Sequence, residues 1–130
     1  MRLPKSMKPP KSESDVVAAV LRYLVSDLGL LAWRANQIPV PGRTFQGLRG
    51  VTDILGLLPM AVECQGYDRL FGVLLAIEIK MPKTKTGKEG KLRPAQAKFI
   101  DRVNASGGLA FVARGVDDVK RALRAEGVIS

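Results

Sequence analysis

Val73-Leu74-Leu75-Ala76-Ile77-Glu78-Ile79-Lys80 begins a passage that ends at Leu109-Ala110-Phe111-Val112-Ala113 and decides the fold. Five apolar residues in succession before Glu78 read as a central strand, and Pro82, which cannot donate to a sheet ladder, halts it. Pro94 suits a first helical position and Gly107-Gly108 a helix end, with Phe99, Ile100 and Val103 forming the apolar stripe between them. A strand from about Phe71 to Met81, a helix and a strand over Leu109–Ala113 form a crossover unit, so the two strands are expected to be parallel.

Upstream, Val51 to Leu58 reads as another strand. A hairpin through the polar turn Glu63 to Arg69 makes it antiparallel to the strand from Phe71. Leu30 to Ala35 reads as a short strand, and Gln37 to Arg49, rich in glycine and proline, as a long loop. Ser12-Glu13-Ser14-Asp15 resembles a capping box, and Val16, Val17, Val20, Leu21 and Leu24 recur at helical spacing until Gly29. Asp117 or Asp118 opens a last helix containing Val119, Ala122 and Leu123. The expected order is α-β-β-β-α-β-α, an α/β fold with a mixed β-sheet flanked by helices and no internal repeat.

The length of 130 residues suits one domain, and 46% hydrophobic residues suffice for a core. Residues 1–11 carry Arg2, Lys5, Lys8 and Lys11 among three prolines and no acid, which reads as a basic flexible arm preceding a domain over 12–130. Lysine and arginine number 21 against 12 acids, a formal charge of +9. That balance points to a polyanion, nucleic acid first, the plain alternative being a lysine-rich surface. No apolar stretch approaches the roughly 20 residues of a membrane span and no signal core opens the chain, so the expectation is a cytoplasmic protein. Cys64 is the single cysteine and histidine is absent, which excludes an intrachain disulfide, a cysteine zinc cluster and all imidazole chemistry. A metal here would need oxygen ligands, as magnesium or manganese does.

Along an extended chain residues two apart share a face, so Glu78 and Lys80 project together while Ile77 and Ile79 enter the opposite layer. Asp53, within Gly50-Val51-Thr52-Asp53-Ile54-Leu55-Gly56, lies in an otherwise apolar strand. If it reaches the same pocket, two carboxylates and the intervening Ile79 carbonyl can hold a divalent cation, with the Lys80 ammonium orienting water or offsetting negative charge. Each residue also has a structural reading, Asp53 as a turn cap and Glu78 with Lys80 as a sheet-edge ion pair. Gln96 stands i+3, i+4 and i+7 from Phe99, Ile100 and Val103, which aims it either at the sheet or, from the first turn, at water. Glu13 repeats that spacing against Val16, Val17 and Val20, and as a first-turn acid it also favours the helix dipole. Arg34 and Asn36 either contact a phosphate or pair with the loop. Arg43 and Arg49 on one side, and Lys83, Lys85, Lys88, Lys91 and Arg93 on the other, bracket the acids with positive charge suited to phosphates. One tryptophan, two tyrosines and four phenylalanines, mostly at core positions, support base stacking poorly, so backbone or shape recognition of duplex or branched DNA fits better.

In order, the helix with Glu13, Trp33-Arg34-Ala35-Asn36, Gly50 to Gly56, Glu78-Ile79-Lys80 and Leu92-Arg93-Pro94-Ala95-Gln96 resemble the VRR-NUC domain of the PD-(D/E)xK nuclease superfamily. The resemblance spans nearly the whole chain. It implies a restriction-endonuclease-like fold and a structure-selective DNA endonuclease dependent on Mg2+ or Mn2+. Asp53, Glu78 and the Ile79 carbonyl then bind metal, Lys80 and Gln96 support the water, and Glu13 is an additional acid. It also implies a homodimer acting on Holliday junctions or other branched DNA. Thr52 stands where the superfamily name has proline, but that residue precedes the ligand rather than binding metal. The alternatives are a non-catalytic nucleic-acid-binding module of the same fold, or a nuclease acting on flaps, linear duplex or RNA.

Overall fold

The computed structural model describes residues 11–35, 48–82 and 90–130. The arm up to Pro10, the loops containing Asn36, Arg43, Lys83, Lys85 and Lys88, and those five residues themselves lie outside the described residues. Ser12 caps the first helix, α1 (Glu13–Arg22), through its side chain, which accepts from Asp15 N–H. The Asp15 carboxylate accepts from Lys11 N–H at 2.9 Å, one residue before the cap, rather than from Ser12 N–H, so only the serine half of the expected capping box is formed. A π-helical turn, Tyr23–Asp27, carries the helix on toward Gly29, which leaves it at φ +68°.

Strands β1 (Leu31–Arg34), β2 (Ile54–Cys64), β3 (Tyr67–Ile79) and β4 (Leu109–Ala113) form one sheet in that spatial order. β1 and β3 both run antiparallel to β2, and β4 runs parallel to β3, with α2 (Pro94–Ala105) as the crossover. The last helix, α3, covers Val116–Ala125. The mixed α/β architecture and the sense of the β2–β3 and β3–β4 pairings agree with the sequence expectation.

Three boundaries differ from that expectation. The hairpin strands have 11 and 13 residues, and the segment expected as a turn from Glu63 to Arg69 is mostly strand. Gln65-Gly66 alone turns the chain, with φ of +52° and +85°, the positive values that match the twist of two strands. Glu63, Asp68 and Arg69 mislead because they lie on an exposed arm where polar side chains cost little. Asp53 belongs to a bend before β2 rather than to the strand. Helix α3 starts at Val116, ahead of both candidate aspartates, and Asp118 reaches back to accept from Arg114 N–H at 2.8 Å.

Alternation along β3 divides the core. Leu75, Ile77 and Ile79 pack with Ile54, Leu58, Val20, Leu24, Val119 and Leu123 in the larger layer, under α1 and α3. Ala76 faces the other way and meets Ile100, Val103 and Ala110 under α2. Among the described residues no helix is long and apolar enough to cross a membrane. The start of β4 is held by a side chain: Asn104 Nδ2 donates to Ala110 O at 3.0 Å and its Oδ1 accepts from Ala110 N–H at 2.8 Å. We expect Asn104→Leu, which leaves both backbone groups of Ala110 without these partners, to lower unfolding free energy by about 1–3 kcal/mol in urea titration.

Candidate functional site: a buried carboxylate pair

The register places Asp53 on the face that carries Glu78 and Lys80. Ile54 pairs with Ile77 and Leu55 with Ala76, so one step further brings Asp53 opposite Glu78. β2 does not continue that far. Asp53 O accepts from Ala35 N–H at 2.8 Å, and its Oδ2 accepts from Ile79 N–H, also at 2.8 Å. A side chain thus takes the bond that a backbone carbonyl would have supplied in a longer ladder. Thr52, fully buried on the opposite face, donates from its hydroxyl to Ile54 O at 3.0 Å.

The same geometry orients the Ile79 carbonyl. Lys80 N–H points toward β4, where Ala113 O accepts it at 3.1 Å. In a planar trans peptide the carbonyl points opposite its N–H, so Ile79 O points toward Asp53.

Glu78 and Lys80 are buried, at 2% and 8% exposure, and the sheet-edge ion-pair reading loses its premise. Their separation is 3.8 Å from Nζ to Oε1. Gln96 joins them: its Nε2 donates to Glu78 Oε1 at 2.9 Å and its Oε1 accepts from Lys80 Nζ at 3.4 Å. That oxygen also accepts from Arg93 N–H at 3.0 Å, the glutamine half of a capping box at the start of α2. One amide therefore fixes both the helix start and the site, and Gln96 faces inward.

Glu78 Oε2 is buried without a hydrogen-bond partner. The Glu78 carboxyl is pushed up to about 8 from an ordinary 4.5, first by burial and then by the Asp53 carboxylate within hydrogen-bonding reach. Lys80 opposes the shift, and Glu13 adds to it. When both acids are ionised no donor stands between them, which is the situation a shared proton or a bound cation relieves. Asp53, Glu78 and the Ile79 carbonyl form an oxygen-donor set suited to a hard divalent ion, which usually keeps several waters beside one or two carboxylates. Among the described residues no three acid, histidine or cysteine side chains cluster closely enough to hold a metal by themselves. Glu13 is exposed on the first turn of α1 and acts on Glu78 through its charge.

Arg34 Nη2 stands 3.5 Å from Ser14 Oγ, which ties the end of β1 to α1 rather than to the loop. Arg49, Lys91 and Arg93 are exposed. Two contributors escaped sequence reasoning. Arg114 Nη1 donates to Met81 O at 2.7 Å, pinning the chain that leaves Lys80, and no pattern around Arg114 announces this. Gly50 is the second: at φ +79°, a Cβ there would overlap the Ala95 carbonyl and lie 2.9 Å from Gln96 N. The first turn of α2 rests on the Gly50 backbone. Comparison with models of protein families, with curated proteins and with solved structures gives no match.

Two outcomes are expected. Between about pH 4.5 and 8 the metal-free fold holds a proton on Glu78 that the unfolded chain has lost. This contribution to stability is complete below the lower value and disappears as pH rises through the upper one. Urea midpoints in chelator should therefore fall with pH for the wild type relative to Glu78→Gln, and parallel profiles would contradict the assignment. Gly50→Ala should displace Gln96, costing about 1–3 kcal/mol of stability through strain. It should also narrow the pH dependence, measurable in the same titrations.

Proposed function

We propose that the chain is a divalent-metal-dependent nuclease of the VRR-NUC type, with a restriction-endonuclease-like fold, that hydrolyses phosphodiester bonds in branched or junction DNA. The observation that carries this reading is the convergence of Asp53, Glu78, Lys80 and Gln96, from a bend, a strand end and a helix start, into one hydrogen-bonded cluster. A structural ion pair has no use for a second carboxylate beside it, or for a buried carboxylate oxygen without a donor. The five ordered sequence elements and the charge of +9 support the same reading.

Asp53, Glu78 and the Ile79 carbonyl would hold Mg2+ or Mn2+, which when bound supplies Lewis-acid polarisation of the phosphate and neutralises developing charge. The chain's own residues do the rest. Ile79 N–H keeps Asp53 turned toward Glu78. Gln96 holds Glu78 with its amide nitrogen and Lys80 with its amide oxygen, so the acid and the ammonium stay fixed beside one another. The Lys80 ammonium offsets negative charge on the phosphate and orients the attacking water. Burial of Glu78 and Lys80 strengthens these interactions by excluding bulk water. Glu13 adds negative potential from the edge. The assembly proposed with this reading is a homodimer placing two sites across a four-way junction.

The test is cleavage of labelled four-way junctions, flaps, single strands, duplexes and RNA with magnesium, manganese or chelator. We expect metal-dependent cleavage strongest on branched DNA, reduced at least about 100-fold by Asp53→Ala or Glu78→Ala, while circular dichroism and DNA binding stay near wild type. Binding without cleavage under every condition would make the protein a nucleic-acid-binding module instead.

A further inference from the structure

The hairpin outruns its neighbours in the sheet. β1 pairs only with Ile54–Leu57 of β2, and β4 only with Leu75–Ile79 of β3. The remainder projects as a two-stranded arm, and an open groove of about 1090 Å³ lies between it and α2. Met60, Phe71 and Val73 line it from the hairpin, and Phe99 and Val103 from the helix. Among the described residues Arg49, Lys98 and Arg102 supply its charged groups, and no aspartate or glutamate lines it. Lys98 and Arg102 are four apart on α2, exposed and on one side of the helix. Arg69 places a further guanidinium 5.1 Å from the Phe71 ring centroid. Arg49 and Ala95 line the groove and are the neighbours in sequence of Gly50 and Gln96, so part of the groove lies near the first turn of α2 that carries Gln96.

Several occupants fit this surface poorly. Small-molecule sites enclose about 300–1,000 Å³, which this open trough exceeds. An apolar peptide offers no anion to Lys98 and Arg102. A duplex presents phosphates at its surface but keeps its bases stacked inside, away from the two aromatic rings. An unpaired strand satisfies both features at once, its phosphates on the cations and its base faces on the rings. We propose that the groove holds an unpaired nucleic-acid strand, with bases against Phe71 and Phe99 and phosphates along Lys98 and Arg102. The groove would thereby deliver the junction between paired and unpaired DNA to the site. Only that last clause rests on the nuclease reading; strand binding stands on the groove itself.

Phe71 is 39% exposed, and Lys98 and Arg102 are exposed, so their replacement leaves the core intact. The experiment is fluorescence anisotropy in chelator, so that nothing is cut, comparing labelled oligo(dT) of about ten nucleotides with a blunt duplex. Phe71→Ala and the double variant Lys98→Ala/Arg102→Ala should each weaken oligo(dT) binding about tenfold while duplex affinity changes less than about threefold. The double variant should also lower the slope of log affinity against log salt by about 1.4, the value for two phosphate contacts on a single strand. Unchanged oligo(dT) affinity, or equal loss for both DNA forms, overturns the proposal. So does a wild-type dimer that Phe71→Ala dissociates in sedimentation without altering oligo(dT) affinity, which would make this face a contact between copies. Cleavage assays separate the two readings: a wild type that cuts nothing defeats the nuclease assignment, while the anisotropy result still decides the groove.

Discussion

The hydrogen bond from Ile79 N–H to Asp53 Oδ2 closes the sheet where β2 has run out of backbone. A longer β2 would bury a backbone carbonyl at this point and leave Asp53 as an ordinary strand residue. Because the chain bends instead, a carboxylate enters the hydrogen-bonding line of the sheet, beside Glu78 and on the side to which the Ile79 carbonyl points. A buried hydrogen bond to a charged group contributes about 1.5–3 kcal/mol, enough to fix a side chain that would otherwise seek water. The larger core supports the bend from below, with Thr52 and Ile54 fully buried on the opposite face.

Two apposed carboxylates, Glu78 buried and Asp53 half-buried, work against folding, and the surrounding groups only partly offset that cost. Lys80 lies 3.8 Å from one oxygen of Glu78, Gln96 donates to the same oxygen, and the other oxygen has no donor. A site built only for stability would pair both oxygens or replace the acid by an apolar residue of similar size. The arrangement persists because Gly50 lets α2 approach closely enough for Gln96 to reach the strand, and because Arg114 anchors the chain beyond Lys80. A locally costly cluster held by a rigid frame is the usual economy of a functional site.

Much of this was legible in the residues. Period-two alternation alone puts Glu78 and Lys80 on one face and Ile77 and Ile79 on the other, since nothing in a strand can change that parity. Helical spacing puts Gln96 on the stripe that faces the sheet, but a first-turn residue can equally turn to water, and only the hydrogen bond to Glu78 decides between the two. The length of the hairpin was not legible, because Glu63, Asp68 and Arg69 carry turn-like polarity in a segment whose backbone pairing is indifferent to side-chain character when both faces are exposed. Asn104 and Arg114 were equally hidden. Each bonds a backbone group brought near by tertiary structure, at separations of 6 and 33 residues, and no local periodicity encodes such a meeting.

The distribution of charge links the buried pair to the basic surface. Ionised carboxylates repel a phosphodiester, and a chain whose only purpose was to bind a polyanion would gain by losing them. Here they are kept in a domain whose groove, among the described residues, is lined by positive charges alone, in a chain with a net charge of +9. A basic surface would attract a phosphate backbone over roughly a Debye length, about 8–10 Å at physiological salt, whereas the acids would act only at contact, with a cation or proton between them. Long-range attraction and short-range negative charge are thus separated in space. On the nuclease reading proposed above, that separation would let one small domain gather a phosphate backbone while keeping a carboxylate site for a divalent cation.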